Sequence, residues 1–536
     1  MAPRNHVFSA IGSYHHETDS ARELYPLYVQ QTGTEILVRI WVFSIALGAV
    51  FLGACSGALG VTPGDAVTPP ALRAPTIEIV TVAADDLGAV NASITADGRS
   101  LTSAASGALW VAWEGAPIDM TVTAEGFYPW KFLIENYPDA GRIEFRLEPI
   151  VLSGRITTNS GLPLPGAKVS LGDSRDTTDN EGRYVLERAI PGTIALSRPA
   201  WDDIEYPWNG EITEFDMSMA PTIVKALRVS PDDILDSGRW NTILSLADVS
   251  GINGVVVDLK TEDGTVVYAT EVPTANAIGA VSSYFDVRQV VADVRERDLY
   301  LIGRIGVFQD SFLAEAEPDH AVVNAEDGSL WRSRNGFAWL DPTDPVSYEY
   351  SIALAEEACK VFGFDEIQFD YVSFPLGGDV SKAKFDGAYN QEVRVASIAA
   401  FLTRAYAVLS PTGCTVSSTI LGIVLESSSD EGVGQRASTM SRIVDVLSPT
   451  LYTTNYGAGW KGFEDPDDNA VEIVSTALDG GRGKLDGYGY LRPWLQTWAI
   501  DTGAQRAVQS AVTDDGMGWL LWSNEANYSA DALPPR

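Results

Sequence analysis

From about Pro221 to the C-terminus the chain alternates short apolar stretches with amphipathic ones, and no other feature limits its fold as strongly. The apolar stretches fall at Lys225–Arg228, Gly254–Lys260, Tyr300–Val307, Glu366–Tyr371, Thr415–Ile420, Val444–Tyr452, Pro493–Trp498 and Gly518–Trp522. Segments such as Val346–Ala358 and Glu392–Leu409 carry helical spacing between them. Eight strands separated by helices predict a (β/α)8 TIM barrel over residues 221–536, with its functional groups at the C-terminal ends of the strands. An open doubly wound sheet is the alternative. It is weakened because no glycine-rich dinucleotide fingerprint or phosphate loop follows the first strand.

Phe364 to Tyr371 alternates in period two, so Glu366, Gln368 and Asp370 share one side of a strand while Ile367, Phe369 and Tyr371 share the other. A polar row inside a covered sheet is expensive unless it is paired or used. The neighbouring strand ends add Asp258 and Lys260, then Arg304 and Asp310, and finally Trp494, Gln496, Trp498, Trp519 and Trp522. Carboxylates among tryptophans and amides suit a sugar, whose apolar faces stack on rings while its hydroxyls need polar partners. Cleaving a glycosidic bond takes one carboxyl group to protonate the leaving oxygen and a second as nucleophile or base. Asp370 is the candidate nucleophile, with Asp258 and Asp310 as further catalytic candidates. Lys260, Arg304, Glu366, Gln368, Trp339, Tyr452, Trp494, Gln496, Trp498 and Trp522 are the substrate-binding candidates. A structural alternative pairs Arg304 with Glu366 in a polar barrel layer. Trp519 and Trp522 stand an odd interval apart, so at least one of them belongs to the core.

Composition narrows the chemistry. Against 37 basic residues stand 72 acidic ones, and a formal charge of -35 argues against a nucleic-acid partner. Only His320 follows the apolar segment near the N-terminus, which nearly excludes serine–histidine triads and histidine-rich metal sites from the body of the protein. Acid–base work falls to carboxylates, with no metal or other cofactor expected. Cys359 and Cys414 read as small apolar core residues.

Ahead of the barrel, Ile36 to Ala54 form a hydrophobic run led by Arg39 and ending in Leu52-Gly53-Ala54-Cys55-Ser56-Gly57. This resembles the lipobox of a bacterial lipoprotein signal peptide, with Cys55 as the lipidated residue and residues 1–55 as leader and signal. An uncleaved single-pass anchor is the alternative, and either places the remainder outside the cytoplasm. The polar residues ahead of the run suggest that translation begins near Leu37 or Val38. Residues 56–75 read as a flexible tether and 76–149 as a small β-sandwich. Residues 150–220 carry Leu152-Ser153-Gly154-Arg155-Ile156, Leu164-Pro165-Gly166-Ala167-Lys168-Val169 and Thr178-Asp179-Asn180-Glu181-Gly182-Arg183-Tyr184. They resemble a carboxypeptidase regulatory-like domain, a seven-stranded transthyretin-like sandwich. The turn Ala124-Glu125-Gly126-Phe127-Tyr128-Pro129 suggests that the first module is a diverged copy. The whole is a multidomain chain of all-β sandwich modules followed by the barrel.

Within the barrel, the phrases Ile252 to Lys260, Ile302 to Asp310, Gly363 to Tyr371 with Phe374-Pro375, Val433-Gly434-Gln435, Arg492 to Gln496 and Gly518 to Trp522 resemble a bacterial family of TIM-barrel glycoside hydrolases long catalogued as a domain of unknown function. The resemblance implies a glycosidase-type site near Asp258, Asp310 and Asp370. Three departures stand out: Ser373 where arginine is expected, Thr419 where relatives commonly carry aspartate, and Asn455 within a phrase that is histidine-bearing in relatives. They leave the second carboxylate open among Asp258, Asp310 and Glu426. The expected protein is a membrane-anchored hydrolase of a polysaccharide or cell-wall glycan. The rival is a non-catalytic glycan-binding or envelope scaffold, and a deacetylase-like metal hydrolase is disfavoured by the scarcity of histidine.

Overall fold

The computed structural model describes residues 74–536. The leader, Cys55 and all but the last two residues of the tether lie outside the described residues.

Residues 76–147 form seven strands in two sheets, and residues 152–219 form seven more. Both modules are wired alike. In each, the first strand lies between the fourth and the seventh, and a second sheet runs third, second, fifth, sixth. The first and seventh strands run parallel in both, Thr76–Ala83 with Arg142–Leu147 and Leu152–Thr158 with Met217–Met219. Period-two alternation puts Ile77, Ile79, Met120, Val122, Phe145 and Leu147 into one core, and Leu152, Ile156, Val169, Leu171, Ile194 and Leu196 into the other.

The remaining chain closes into a barrel of eight parallel strands: β1 (Lys225–Val229), β2 (Gly254–Lys260), β3 (Tyr300–Gly306), β4 (Glu366–Asp370), β5 (Thr415–Leu421), β6 (Val446–Thr450), β7 (Trp494–Gln496) and β8 (Trp519–Trp522). Each pairs with the next in sequence, and β8 returns to β1. Every strand falls on its predicted stretch. Outward side chains such as Leu227, Val255, Val257, Leu301, Ile367, Phe369 and Val416 pack under the helices, while Ala226, Val256, Ile302, Trp494 and Leu520 fill the interior. Trp519 points outward into the helix layer and Trp522 inward, as their odd spacing requires.

The second sandwich covers the N-terminal end of the barrel. Asp445, just before β6, forms an ion pair with Arg198 at 2.9 Å, both side chains 2% exposed. The Arg198 guanidinium also donates to the Tyr406 hydroxyl at 3.2 Å and lies over the Tyr488 ring. Val446 and Tyr488 belong to the sandwich's own apolar core. A module docked through a buried charge pair cannot swing as a free spacer, because separating the pair would strand both charges. Its position leaves the C-terminal mouth uncovered by this module.

Cys359 and Cys414, expected as separate apolar residues, are instead joined in a disulfide. The first lies just before β4 and the second just before β5, and parallel pairing of these strands brings their Cα atoms to 6.0 Å across 55 residues of chain. Closing a loop of that length stabilises the fold by about 4 kcal/mol in the chain-entropy account. Reduced protein is expected to lose a comparable amount in urea titration and to match a Cys359→Ala/Cys414→Ala variant. An unchanged midpoint on reduction would contradict this.

Candidate active site

The inward polar row of β4 occupies three depths, and only its last member opens to solvent. At the N-terminal end Glu366 is fully buried and accepts from both terminal nitrogens of Arg492, and from the Ser417 hydroxyl. One layer up, the Gln368 side chain donates to Ser448 and accepts from the Trp494 indole, each at 2.9 Å. Arg304 sits opposite Gln368 in the register rather than opposite Glu366, so the alternative in which Arg304 pairs with Glu366 does not form. Glu366, Gln368 and Trp494 are barrel filling, not substrate contacts.

The top layer is different. Arg304, itself sealed, donates from Nε to Asp370 Oδ2 at 2.8 Å and from Nη1 to Asp258 Oδ1 at 3.0 Å. Asp258 also accepts from Arg228. Burial would pull the Arg304 guanidinium down, but Asp258 and then Asp370 outweigh it and hold it well above its ordinary range. Burial would likewise raise the Asp258 carboxyl, yet Arg228 and Arg304 keep it below its ordinary value. Asp258 therefore favours folding above its unfolded pKa near 3.8, and that contribution is lost as pH falls through its lower folded value. Urea midpoints are expected to drop between about pH 5 and about pH 3, and Asp258→Asn to flatten that limb. An equally steep limb in the variant would assign the acid sensitivity elsewhere.

Asp370 is the member of this layer that reaches the mouth, with its side chain 18% exposed. Its Oδ1 accepts from the Thr419 hydroxyl at 2.6 Å and from the Tyr371 backbone N–H at 2.7 Å. Thr419 thus spends its hydroxyl on orienting Asp370. Tyr371 itself has φ 52°, a left-handed conformation that costs a non-glycine residue on the order of 1 kcal/mol or more. Such strain at the exit of a barrel strand is typical of functional positions. Around Asp370 stand Tyr452 and Trp498, with ring centres 5.0 Å apart, and Trp522, whose ring lies over both Arg228 and Arg304. Burial and then the nearby Asp370 charge push the Tyr452 hydroxyl well above its ordinary range. Gln496 lies just beneath this rim and donates to the Trp498 carbonyl at 2.6 Å.

Several sequence candidates lie elsewhere. A bulge between Asp258 and Lys260 turns Lys260 out of the barrel. There its ammonium meets Asp310 at 2.6 Å, the Gly306 carbonyl and the face of Tyr350, with no exposure. Asp310 caps the helix Ser311–Ala316 through the Leu313 N–H and lies under Gly264, where a Cβ would stand 2.2 Å from its carboxylate. Neither can meet a substrate without opening the fold. Trp339 is fully buried against Tyr371. Glu426 bonds Lys461 and packs against Gly480, and Asn455 is exposed beside the mouth loop. Ser373, in the expected arginine position, is buried. His320 pairs with Asp344 rather than with the cluster.

Two members of the site were passed over. Arg228 lies one residue before the end of β1, and reading the strand-end rule onto that first strand would have found it. Glu262 stands in the turn after β2, with its carboxylate 3.7 Å from Arg304 and its side chain 37% exposed. Its acid at a strand exit was the available signal.

Fold and mouth together define a (β/α)8 barrel protein whose open end is built on arginine-bridged carboxylates. A family model described as "Putative glycosyl hydrolase domain" matches residues 226–528, more than half of the chain, and the chain belongs to that family. Among solved structures, a hypothetical protein from Ruminiclostridium thermocellum is 34% identical over 36% of this chain and 96% of its own, with a TM-score of 0.33. The glycoside hydrolase domain of PgaB (BpsB) from Bordetella bronchiseptica is 13% identical over 59% of this chain and 100% of its own, with a TM-score of 0.43. A chitinase from Chromobacterium violaceum is 10% identical over 58% and 97%, with a TM-score of 0.36. No curated protein matches the chain.

Proposed function

We propose that the chain is a glycoside hydrolase acting on a polysaccharide outside the cytoplasm, held at a membrane through lipid on Cys55. The observation that carries the reading is Asp370: its ion partner Arg304 is sealed, while it alone of the two aspartates bonded to that guanidinium opens to the mouth. Both Asp370 oxygens receive hydrogen bonds, a pattern that suits attack on, or stabilisation of, a developing positive charge rather than proton donation. Tyr452 and Trp498 offer faces on which sugar rings stack. The chemistry requires no cofactor.

The disulfide supports an oxidising compartment, where such bonds persist. The second sandwich, similar in its motifs to carboxypeptidase regulatory-like domains, serves in this reading as a rigid base that turns the barrel mouth outward. The scaffold alternative draws on Thr419, which offers Asp370 an orienting hydroxyl and not a second acid at the end of β5.

Purified full-length protein incubated with a panel of extracellular and cell-wall glycans is expected to release new reducing ends from at least one. Retention of a glycan without any release would favour the scaffold.

A further inference from the structure

Hydrolysis at Asp370 leaves the proton donor unassigned, and the other two candidate aspartates are closed off. Asp258 is fully buried between two guanidinium groups, and Asp310 is bonded to Lys260 beneath the turn at Gly264. Glu262 is placed otherwise. The turn that carries it is fixed from several sides: Gly264 N–H donates to the Thr261 carbonyl, the Thr261 hydroxyl to Asp263, and Gln309 to the Glu262 carbonyl at 2.7 Å. Its Oε2 is buried and accepts no hydrogen bond from the described residues, although Arg304 Nη1 lies 3.7 Å away. Glu262, whose side chain is 37% exposed, is among the residues that line a hollow of about 220 Å³, with Asp232, Thr261, Asp263, Tyr284 and Phe337.

One guanidinium thus links two carboxyl groups of opposite character. Asp370 is saturated with donors, whereas Glu262 has a poorly partnered oxygen and access to open space. Because both reach Arg304, they can stand no more than roughly 9 Å apart, below the ~9.5 Å at which paired carboxylates can still cleave glycosides. The hollow beyond Glu262 has room for a leaving sugar, with Tyr284 and Phe337 as apolar surfaces against it.

We infer that Glu262 is the proton donor of the reaction and that the hollow it lines receives the departing part of the glycan, an inference that rests on the hydrolase reading. As the bond from the anomeric carbon to the bridging oxygen breaks, its electron pair stays on that oxygen. The oxygen takes the proton of the Glu262 carboxyl, so the leaving sugar departs as an alcohol and Glu262 becomes a carboxylate. Water then supplies the oxygen that bonds to the anomeric carbon, and its released proton restores the starting protonation of the two carboxyl groups. The sum is glycoside plus water giving a hemiacetal and an alcohol.

The test compares Glu262→Gln and Asp370→Asn with wild type on two substrates: the panel glycan that yields reducing ends, and the 2,4-dinitrophenyl glycoside of its repeating sugar. Dinitrophenolate leaves without protonation. Glu262→Gln is expected to slow the natural glycan by about 10² to 10⁴-fold and the aryl glycoside by less than about tenfold. Equal losses on both substrates, or no loss on the glycan, would overturn the assignment. Because the side chain is partly exposed, the variant's melting temperature is expected to stay near that of wild type, which separates loss of the donor from loss of fold. Asp370→Asn is expected to slow both substrates. If it slows neither, Asp370 leaves the chemistry and the reading of this mouth as the catalytic centre falls, whatever Glu262 does.

Discussion

Asp370→Asn is expected to lower turnover at least about 10³-fold while leaving glycan affinity within a few-fold of wild type. The asymmetry follows from what the carboxylate touches. Two of its contacts come from Arg304 and two from Thr419 and the Tyr371 N–H, so one amide oxygen preserves the Arg304 side while the amide nitrogen faces Thr419, whose hydroxyl can turn to accept. Only the Tyr371 N–H is left facing a donor. The loop should hold its place, and the aromatic rings at the rim are untouched. What disappears is the negative charge that must meet an electron-poor anomeric carbon. Initial rates and equilibrium binding on the same glycan check the prediction. Unchanged turnover would remove Asp370 from the chemistry, and a parallel collapse of binding would make it a substrate-positioning group.

Arg304→Met is expected to destabilise the fold by about 3–5 kcal/mol, the scale found when one member of a buried charge cluster is removed and its partners are stranded. The replacement keeps much of the volume beneath Trp522 but leaves Asp370 without its cation and Asp258 with Arg228 alone. The defect should depend on pH in a defined direction. Wild-type Asp258 has a lowered pKa and so loses stability in acid, whereas in the variant the stranded carboxyls can neutralise by taking up protons. The gap between the two proteins should therefore shrink as pH falls from about 7 to about 4. Urea titrations at several pH values measure it. A pH-independent gap would mean that lost packing, not stranded charge, is responsible.

The barrel was legible because each strand is a short, largely apolar run, and segments such as Val346–Ala358 and Glu392–Leu409 between them carry helical spacing. Depth along the barrel was not. Alternation assigns Glu366, Gln368 and Asp370 to one face, but strand tilt and register decide which of them reaches the rim, and these depend on neighbouring strands tens of positions away in the chain. A single bulge was enough to send Lys260 from the predicted interior to the helix layer. Likewise Cys359 and Cys414 meet only because β4 and β5 lie side by side, a pairing that cysteine spacing does not announce. The likeness of the two sandwiches was suggested by one turn motif and is evident in their shared strand order. Glu262 was hidden for another reason: it lies on a turn past the strand, where alternation no longer says which way a side chain points.

Hydrolysis in ¹⁸O-enriched water, followed by mass spectrometry of the products, tests the central claim most directly. The expected result is one heavy oxygen on the anomeric carbon of each new reducing end released by wild-type protein, and its loss with Asp370→Asn. Unlabelled or unsaturated products, or labelled ends formed equally well by the variant, would contradict cleavage by carboxylates gathered around Arg304.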